Sequence, residues 1–124
     1  MLKAYQNKDI KIIRVYGDDA NEYLNNIVTN NTDEVNVSNT IYSCLLTPQG
    51  KFIADFFISY FDDSFYLLTN SKFYNDLIKG LNFYKLRSKV KIEDADKLYK
   101  CFFIPNNNYK IFFGSEKIIL GQTI

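Results

Sequence analysis

A carboxylate set in an aromatic strand is the group in this sequence best placed to do chemistry. Asp55 stands in the run Phe52-Ile53-Ala54-Asp55-Phe56-Phe57-Ile58. Desolvating a charge there is costly unless it faces a pocket or meets a donor. Two-residue alternation offers the other reading, a solvated strand face that Asp55 would share with Ile53 and Phe57. Asn70 ends the next β-rich run and precedes Ser71, so it reads as a polar site residue or as plain turn chemistry. Thr29-Asn30-Asn31 follows an amphipathic stretch and reads in the same two ways, the plain one being a helix C-terminal turn with Asn in the left-handed region. Pro48-Gln49-Gly50-Lys51 is either an anion-binding turn, through its backbone N–H groups and Lys51, or a simple hairpin turn. Lys85, Arg87, Lys89 and Lys91 alternate, which predicts one cationic strand face. Such a face is a solvated edge or a patch for an anionic ligand.

Composition removes other chemistries. The 124 residues contain no His, so imidazole acid–base catalysis, Ser-His-Asp and Cys-His dyads and the commonest zinc ligand are excluded. No GxGxxG, Walker, GxSxG or metal-ligand cluster occurs, and no catalytic or metal-binding residue is assigned. Fifteen Lys+Arg against fourteen Asp+Glu leave a net charge of +1, which argues against direct nucleic-acid binding. Cys44 and Cys101 each sit in an apolar run and are expected to be buried, reduced thiols. The N-terminus lacks the apolar core of a signal peptide. No apolar stretch approaches the roughly 18 residues of a membrane span. The expectation is a cytoplasmic protein with no membrane association. Ten Tyr and eleven Phe supply amphipathic surface for a pocket or an interface.

The elements that must position these groups follow from periodicity. Ile10, Ile12 and Val15 mark a first strand, ended by Gly17. Asp18 is the expected N-cap of a helix over about 19–27, with Ala20, Tyr23, Leu24 and Ile27 at helical spacing. Residues 29–39 read as a loop. Strands at 41–47, 51–61 and 65–69 form a meander through Pro48-Gln49-Gly50 and Asp62-Asp63-Ser64. Ser71 is a candidate cap for a second helix over about 72–84, built on Phe73, Leu77, Leu81 and Tyr84 despite Gly80. A strand at 89–92, the charged turn at 93–96, a hairpin of 98–104 with 109–113 around Pro105-Asn106-Asn107-Asn108, and a strand at 117–120 complete the chain. The order predicts an α+β fold, two helices on one face of a mainly antiparallel sheet.

The ordered set of segments resembles the folate-binding YgfZ family. Val15-Tyr16-Gly17-Asp18-Asp19-Ala20 leading to Tyr23-Leu24 and Val28-Thr29-Asn30 is similar to the family's opening. Leu46-Thr47-Pro48-Gln49-Gly50-Lys51 with Asp55 resembles its TPQG(R/K)…D hairpin, and Tyr84-Lys85-Leu86-Arg87-Ser88-Lys89-Val90-Lys91-Ile92 its Y-x-L-R-x-K-V-x-I segment. The match runs over about residues 10–93. YgfZ proteins share a superfamily with the glycine-cleavage T-protein, an aminomethyltransferase. The resemblance implies the fold of the N-terminal folate-binding domain of that superfamily. It implies a tetrahydrofolate or related folate ligand, and a role in iron–sulfur cluster assembly or repair with iron–sulfur proteins as partners, linked only indirectly to tRNA modification.

By position in the motif it implies that Asp55 and Asn70 hold the pterin, that Tyr42 adds an aromatic wall, and that Thr29 and Asn30 belong to the site. Asn31 stands where the family usually has Asp. The family's Lys-Gly-Cys-aromatic-x-Gly-Gln-Glu hallmark and the β-barrel part do not occur in these residues, so neither Cys44 nor Cys101 inherits the hallmark role. The chain is thus expected to be one domain, the N-terminal portion of a longer architecture, and to self-associate if apolar surface is left uncovered. Two alternatives stand beside this: an aminomethyltransferase-like enzyme, and a small interaction domain that has lost folate.

Overall fold

The computed structural model describes residues 5–6, 8–36, 39–97, 99–104, 108–113 and 117–122, with side chains over 8–36 and 39–97. In chain order the elements are β1 (Tyr5–Gln6), β2 (Ile10–Tyr16), α1 (Ala20–Ile27), β3 (Ile41–Leu46), β4 (Phe52–Phe61), β5 (Ser64–Asn70), α2 (Tyr74–Lys85), β6 (Lys91–Asp94), β7 (Tyr99–Ile104), β8 (Asn108–Phe113) and β9 (Lys117–Gln122). Single 3-10 turns at Thr32–Glu34 and Ser71–Phe73 precede β3 and α2. One sheet has the order β3-β4-β5-β2-β6, the other β1-β7-β8-β9, and every neighbouring pair is antiparallel. The expected α+β class holds, with strand boundaries displaced by one or two residues.

Alternation sorts the five-stranded sheet into two faces. Ile13 and Val15 of β2, Ala54, Phe56 and Ile58 of β4, and Phe65 and Leu67 of β5 bury against Ala20, Tyr23 and Leu24 of α1 and Leu77 and Leu81 of α2. Residues of opposite parity, Ile12, Tyr66 and Leu68, form a second cluster with Ile10, Phe57 and Phe61. Between the two helices, the Tyr23 hydroxyl donates to the Leu81 carbonyl, and burial raises the Tyr23 pKa. Tyr23→Phe leaves that buried carbonyl without its donor. We expect a loss of about 1–2 kcal/mol in denaturant unfolding, against no change if a new partner replaces the hydroxyl.

Four local expectations are corrected. Asp18 is not the cap of α1. Asp19 occupies that position without a side-chain cap bond, because its carboxylate instead accepts the Lys89 N–H at 2.7 Å. Ser71 is not the cap before α2, since Asn70 Oδ1 accepts the Lys72 N–H at 3.0 Å. Lys85, Arg87, Lys89 and Lys91 do not share a strand face. Lys85 ends α2, Leu86 turns the chain with φ of 47°, and only Lys91 lies in β6. Glu93 and Asp94 are strand residues and not a turn, paired with Arg14 and Ile13. The hairpin of β7 and β8 is present, whereas its turn at 105–107 and the Cys101 side chain lie outside the described residues.

Candidate functional site

Three adjacent strands bring the key residues together. Tyr42 pairs with Phe57, and Phe57 with Leu68, across β3, β4 and β5. Asp55 and Asn70 lie two residues along from Phe57 and Leu68, so Tyr42, Asp55 and Asn70 point from the face opposite the helices. Tyr42, Asp55 and Asn70 line a cavity of about 280 Å³ with Ile10, Phe57, Leu68, Lys72 and Phe73. Asp55 thus lines a cavity, and its expected neighbour Ile53 does not share its face. Leu45 pairs with Ala54 and Leu46 with Phe52, so Ile53 is a bulged residue. It packs with the helix-side core instead.

The Tyr42 hydroxyl donates to Asp55 Oδ2 at 2.6 Å, a short charge-assisted bond. This bond is the main reason the Tyr42 pKa lies above its ordinary value, with desolvation next and the Asp55 charge after it. The phenol therefore stays protonated, and the pair intact, through pH 10 and beyond; the bond is lost as pH rises through the elevated pKa. In a carbon-detected tyrosine NMR titration we expect the assigned Tyr42 resonance to titrate above the ordinary tyrosine range. Asp55→Asn should return it toward the ordinary range, and an unchanged profile would show that the pair does not form in solution.

Asp55 Oδ1 has no protein donor among the described residues, and neither has the Asn70 carboxamide Nδ2 an acceptor there, while Asn70 Oδ1 caps the following turn. The cavity thus presents an open acceptor on one strand and an open donor on the next. Cys44 is directly opposite Asp55 and half-buried with a free thiol, less enclosed than expected.

Thr29 and Asn30 do not line this cavity. Val28 bridges to Leu45, Thr29 Oγ1 accepts the Cys44 N–H at 3.0 Å, and Asn30 Nδ2 donates to the Tyr42 carbonyl at 3.0 Å. They brace the outer edge of β3 and so fix the strand that carries Tyr42 and Cys44. The Pro48-Gln49-Gly50-Lys51 turn closes on itself: the Gly50 N–H donates to the Thr47 carbonyl at 2.8 Å and the Lys51 N–H to Thr47 Oγ1 at 3.0 Å. Those N–H groups are used within the hairpin, so the anion-binding alternative loses them.

Sequence reasoning missed two cavity residues, Lys72 and Phe73. The Lys72 ammonium lies 5.0 Å from the Phe73 ring centroid, adding a cation and an aromatic face beside Asn70. Their place directly after Asn70 and Ser71 was the available signal. Among the described residues no group of three or more His, Cys, Asp or Glu could hold a metal ion, and no helix is long and apolar enough to cross a membrane.

Known proteins share the fold and the family of this chain. The iron-sulfur cluster assembly factor IBA57 homolog, mitochondrial, of Neurospora crassa is 33% identical over 94 residues, covering 69% of this chain and 21% of that protein. The crystal structure of glycine cleavage system aminomethyltransferase T from Bartonella henselae superposes with a TM-score of 0.71 at 15% identity, over 83% of this chain and 28% of that one. The chain therefore spans under a third of either protein. The model of the GCVT N-terminal domain matches residues 6–105, which takes in both helices, the whole five-stranded sheet and the Tyr42–Asp55–Asn70 cavity; this chain belongs to the GCVT N-terminal domain family.

Proposed function

We propose that this chain binds a reduced folate, tetrahydrofolate or a derivative, in the cavity of Tyr42, Asp55 and Asn70. One observation carries the reading: an open carboxylate oxygen and an open carboxamide N–H₂ on adjacent strands of one cavity. A pterin ring has an amide N–H and an amino group side by side, next to a ring carbonyl. The carboxylate accepts from the first two, and the Asn70 carboxamide donates to the third. Tyr42 supplies an aromatic wall and keeps Asp55 oriented through Oδ2. Lys72, over Phe73, is suited to a carboxylate at the glutamate end of the ligand. Folate supplies one-carbon chemistry when bound, and the residues present bind and orient it. No acid–base catalyst is proposed among them.

The wider role follows from the relatives. The N. crassa protein is named as an iron–sulfur cluster assembly factor, and family membership supports a folate-type ligand. We infer a folate-binding module that serves iron–sulfur cluster assembly or repair, with iron–sulfur proteins as partners and any effect on tRNA modification indirect. Residues 1–124 act in this reading as the N-terminal portion of a larger architecture. Isothermal titration calorimetry with tetrahydrofolate or folinate tests the ligand. Absence of binding, both by this chain and by a longer protein containing it, would refute the reading.

A further inference from the structure

Ser43 interrupts an apolar pattern. On the helix-side face of β3 it stands between Ile41 and Leu45 and opposite Phe56, all three members of the main core. It is 1% exposed. A hydroxyl buried among such residues costs stability unless it is hydrogen-bonded, and an apolar residue there would spare that cost. The hydroxyl is used. Ser43 Oγ accepts the Asn30 N–H at 3.0 Å and lies 3.3 Å from Thr29 Oγ1, a bond in which either hydroxyl can donate.

These contacts complete a network along the outer edge of β3. Thr29 Oγ1 accepts the Cys44 N–H at 3.0 Å, and the Thr29 N–H donates to the Cys44 carbonyl at 3.1 Å. Asn30 Nδ2 donates to the Tyr42 carbonyl at 3.0 Å. β3 ends the five-stranded sheet, with β4 as its strand neighbour, so the outer backbone groups of an edge strand fall to residues 29 and 30. These two stand in for a next strand, partly with side chains, and the Ser43 hydroxyl ties both of them to the middle of β3. The inner pairing needs that support. It shifts between Leu45 and Leu46, and a bulge bends and twists its strand locally. Tyr42 and Cys44 flank Ser43 and point to the opposite face, where the Tyr42 hydroxyl reaches across to β4 and meets Asp55 Oδ2 at 2.6 Å.

We propose that Ser43 is a positioning residue of the Tyr42–Asp55–Asn70 cavity: through Thr29 and Asn30 it fixes the backbone of residues 42–44, and so the place where the Tyr42 phenol meets Asp55. Ser43 acts from the far face of the strand and touches no ligand. The consequence for folate affinity rests on the folate reading of the cavity; the placement of Tyr42 does not.

Two readouts on the whole chain test this with Ser43→Ala, Thr29→Val and the conservative Thr29→Ser. Without ligand, Ser43→Ala and Thr29→Val should bring the assigned Tyr42 resonance of the carbon-detected titration back toward the ordinary tyrosine range. Thr29→Ser keeps the acceptor for the Cys44 N–H and should leave it raised. With folinate, the first two variants should weaken binding about fivefold or more, the worth of about one hydrogen bond, and Thr29→Ser should not. Tyr23→Phe, whose lost bond lies between the two helices, should move neither readout, which separates positioning from a general loss of stability. Thr29 is exposed, so Thr29→Val carries the test if Ser43→Ala does not fold. A Tyr42 titration unchanged in the folded variants, or moved as far by Tyr23→Phe, would overturn the proposal. A wild-type chain that binds no folinate refutes the folate reading, and the ligand-free titration then decides by itself whether Ser43 places Tyr42.

Discussion

Asp55→Ala should weaken folinate binding by about 100-fold or more. A hydrogen bond to a charged group contributes about 1.5–3 kcal/mol. Removing a carboxylate that accepts from two ligand donors thus costs about 3 kcal/mol, which is roughly two decades in Kd. Asp55→Asn is the sharper variant, because it keeps the volume of the side chain and the possibility of one acceptor but sets an N–H₂ group among donors. It should behave nearly as badly as alanine. Tyr42→Phe retains the carboxylate and the aromatic ring while deleting the 2.6 Å bond, so a loss of only severalfold is expected. That ordering separates a ligand carboxylate from a structural one. If calorimetry gives all three variants the wild-type Kd, the cavity of Asp55 and Asn70 is not where folate binds.

Gly17→Ala should be the most destabilising alanine substitution among the described glycines. Gly17 has φ of +124°, and a Cβ there would sit 2.4 Å from the Lys89 carbonyl oxygen and 3.1 Å from Val90 Cα. Both obstacles are backbone atoms, which no rotamer change can move. The same corner carries reciprocal bonds, the Asp19 N–H to the Lys89 carbonyl at 3.2 Å and the Lys89 N–H to the Asp19 carboxylate at 2.7 Å. Forcing the segments apart strains these as well. Backbone strain and overpacking together give an expected loss of about 3 kcal/mol in urea unfolding. Gly50 is the control: its φ is +83°, but nothing lies within 4 Å of an added Cβ, so Gly50→Ala should cost only about 1 kcal/mol. Equal losses at the two positions would show that the approach of Gly17 to Lys89 does not exist in solution.

Much of this architecture is legible in single residues. Ala20, Tyr23, Leu24 and Ile27 mark α1 to within a residue of its observed start, because an amphipathic helix must repeat apolar positions at its own pitch. Asp55 stands out because a carboxylate among phenylalanines needs a reason. The misplaced features have a common origin. The alternating cations at 85–91 resemble a strand face, yet Lys85 belongs to α2 because Leu77 and Leu81 commit that helix to the core. Cap preference points to Asp18 and Ser71, yet Asp19 holds the cap position with its carboxylate turned to the Lys89 N–H seventy residues away, and Asn70 caps the 3-10 turn that precedes α2.

By itself the chain determined what local physics can enforce. It set the class of fold, the two amphipathic helices, the Pro48-Gln49-Gly50 hairpin turn, the lack of imidazole chemistry, and a carboxylate within an aromatic strand. Tertiary structure alone decided which groups share a cavity. Strand register joined Tyr42 to Asp55 and set Asn70 beside them; the bulge at Ile53 turned that side chain to the helices; and the edge of β3 took Thr29 and Asn30 out of the cavity and into its support. Register and edge pairing are settled by contacts between residues far apart in the chain, and a period-two pattern is blind to a one-residue bulge that reverses the face of what precedes it.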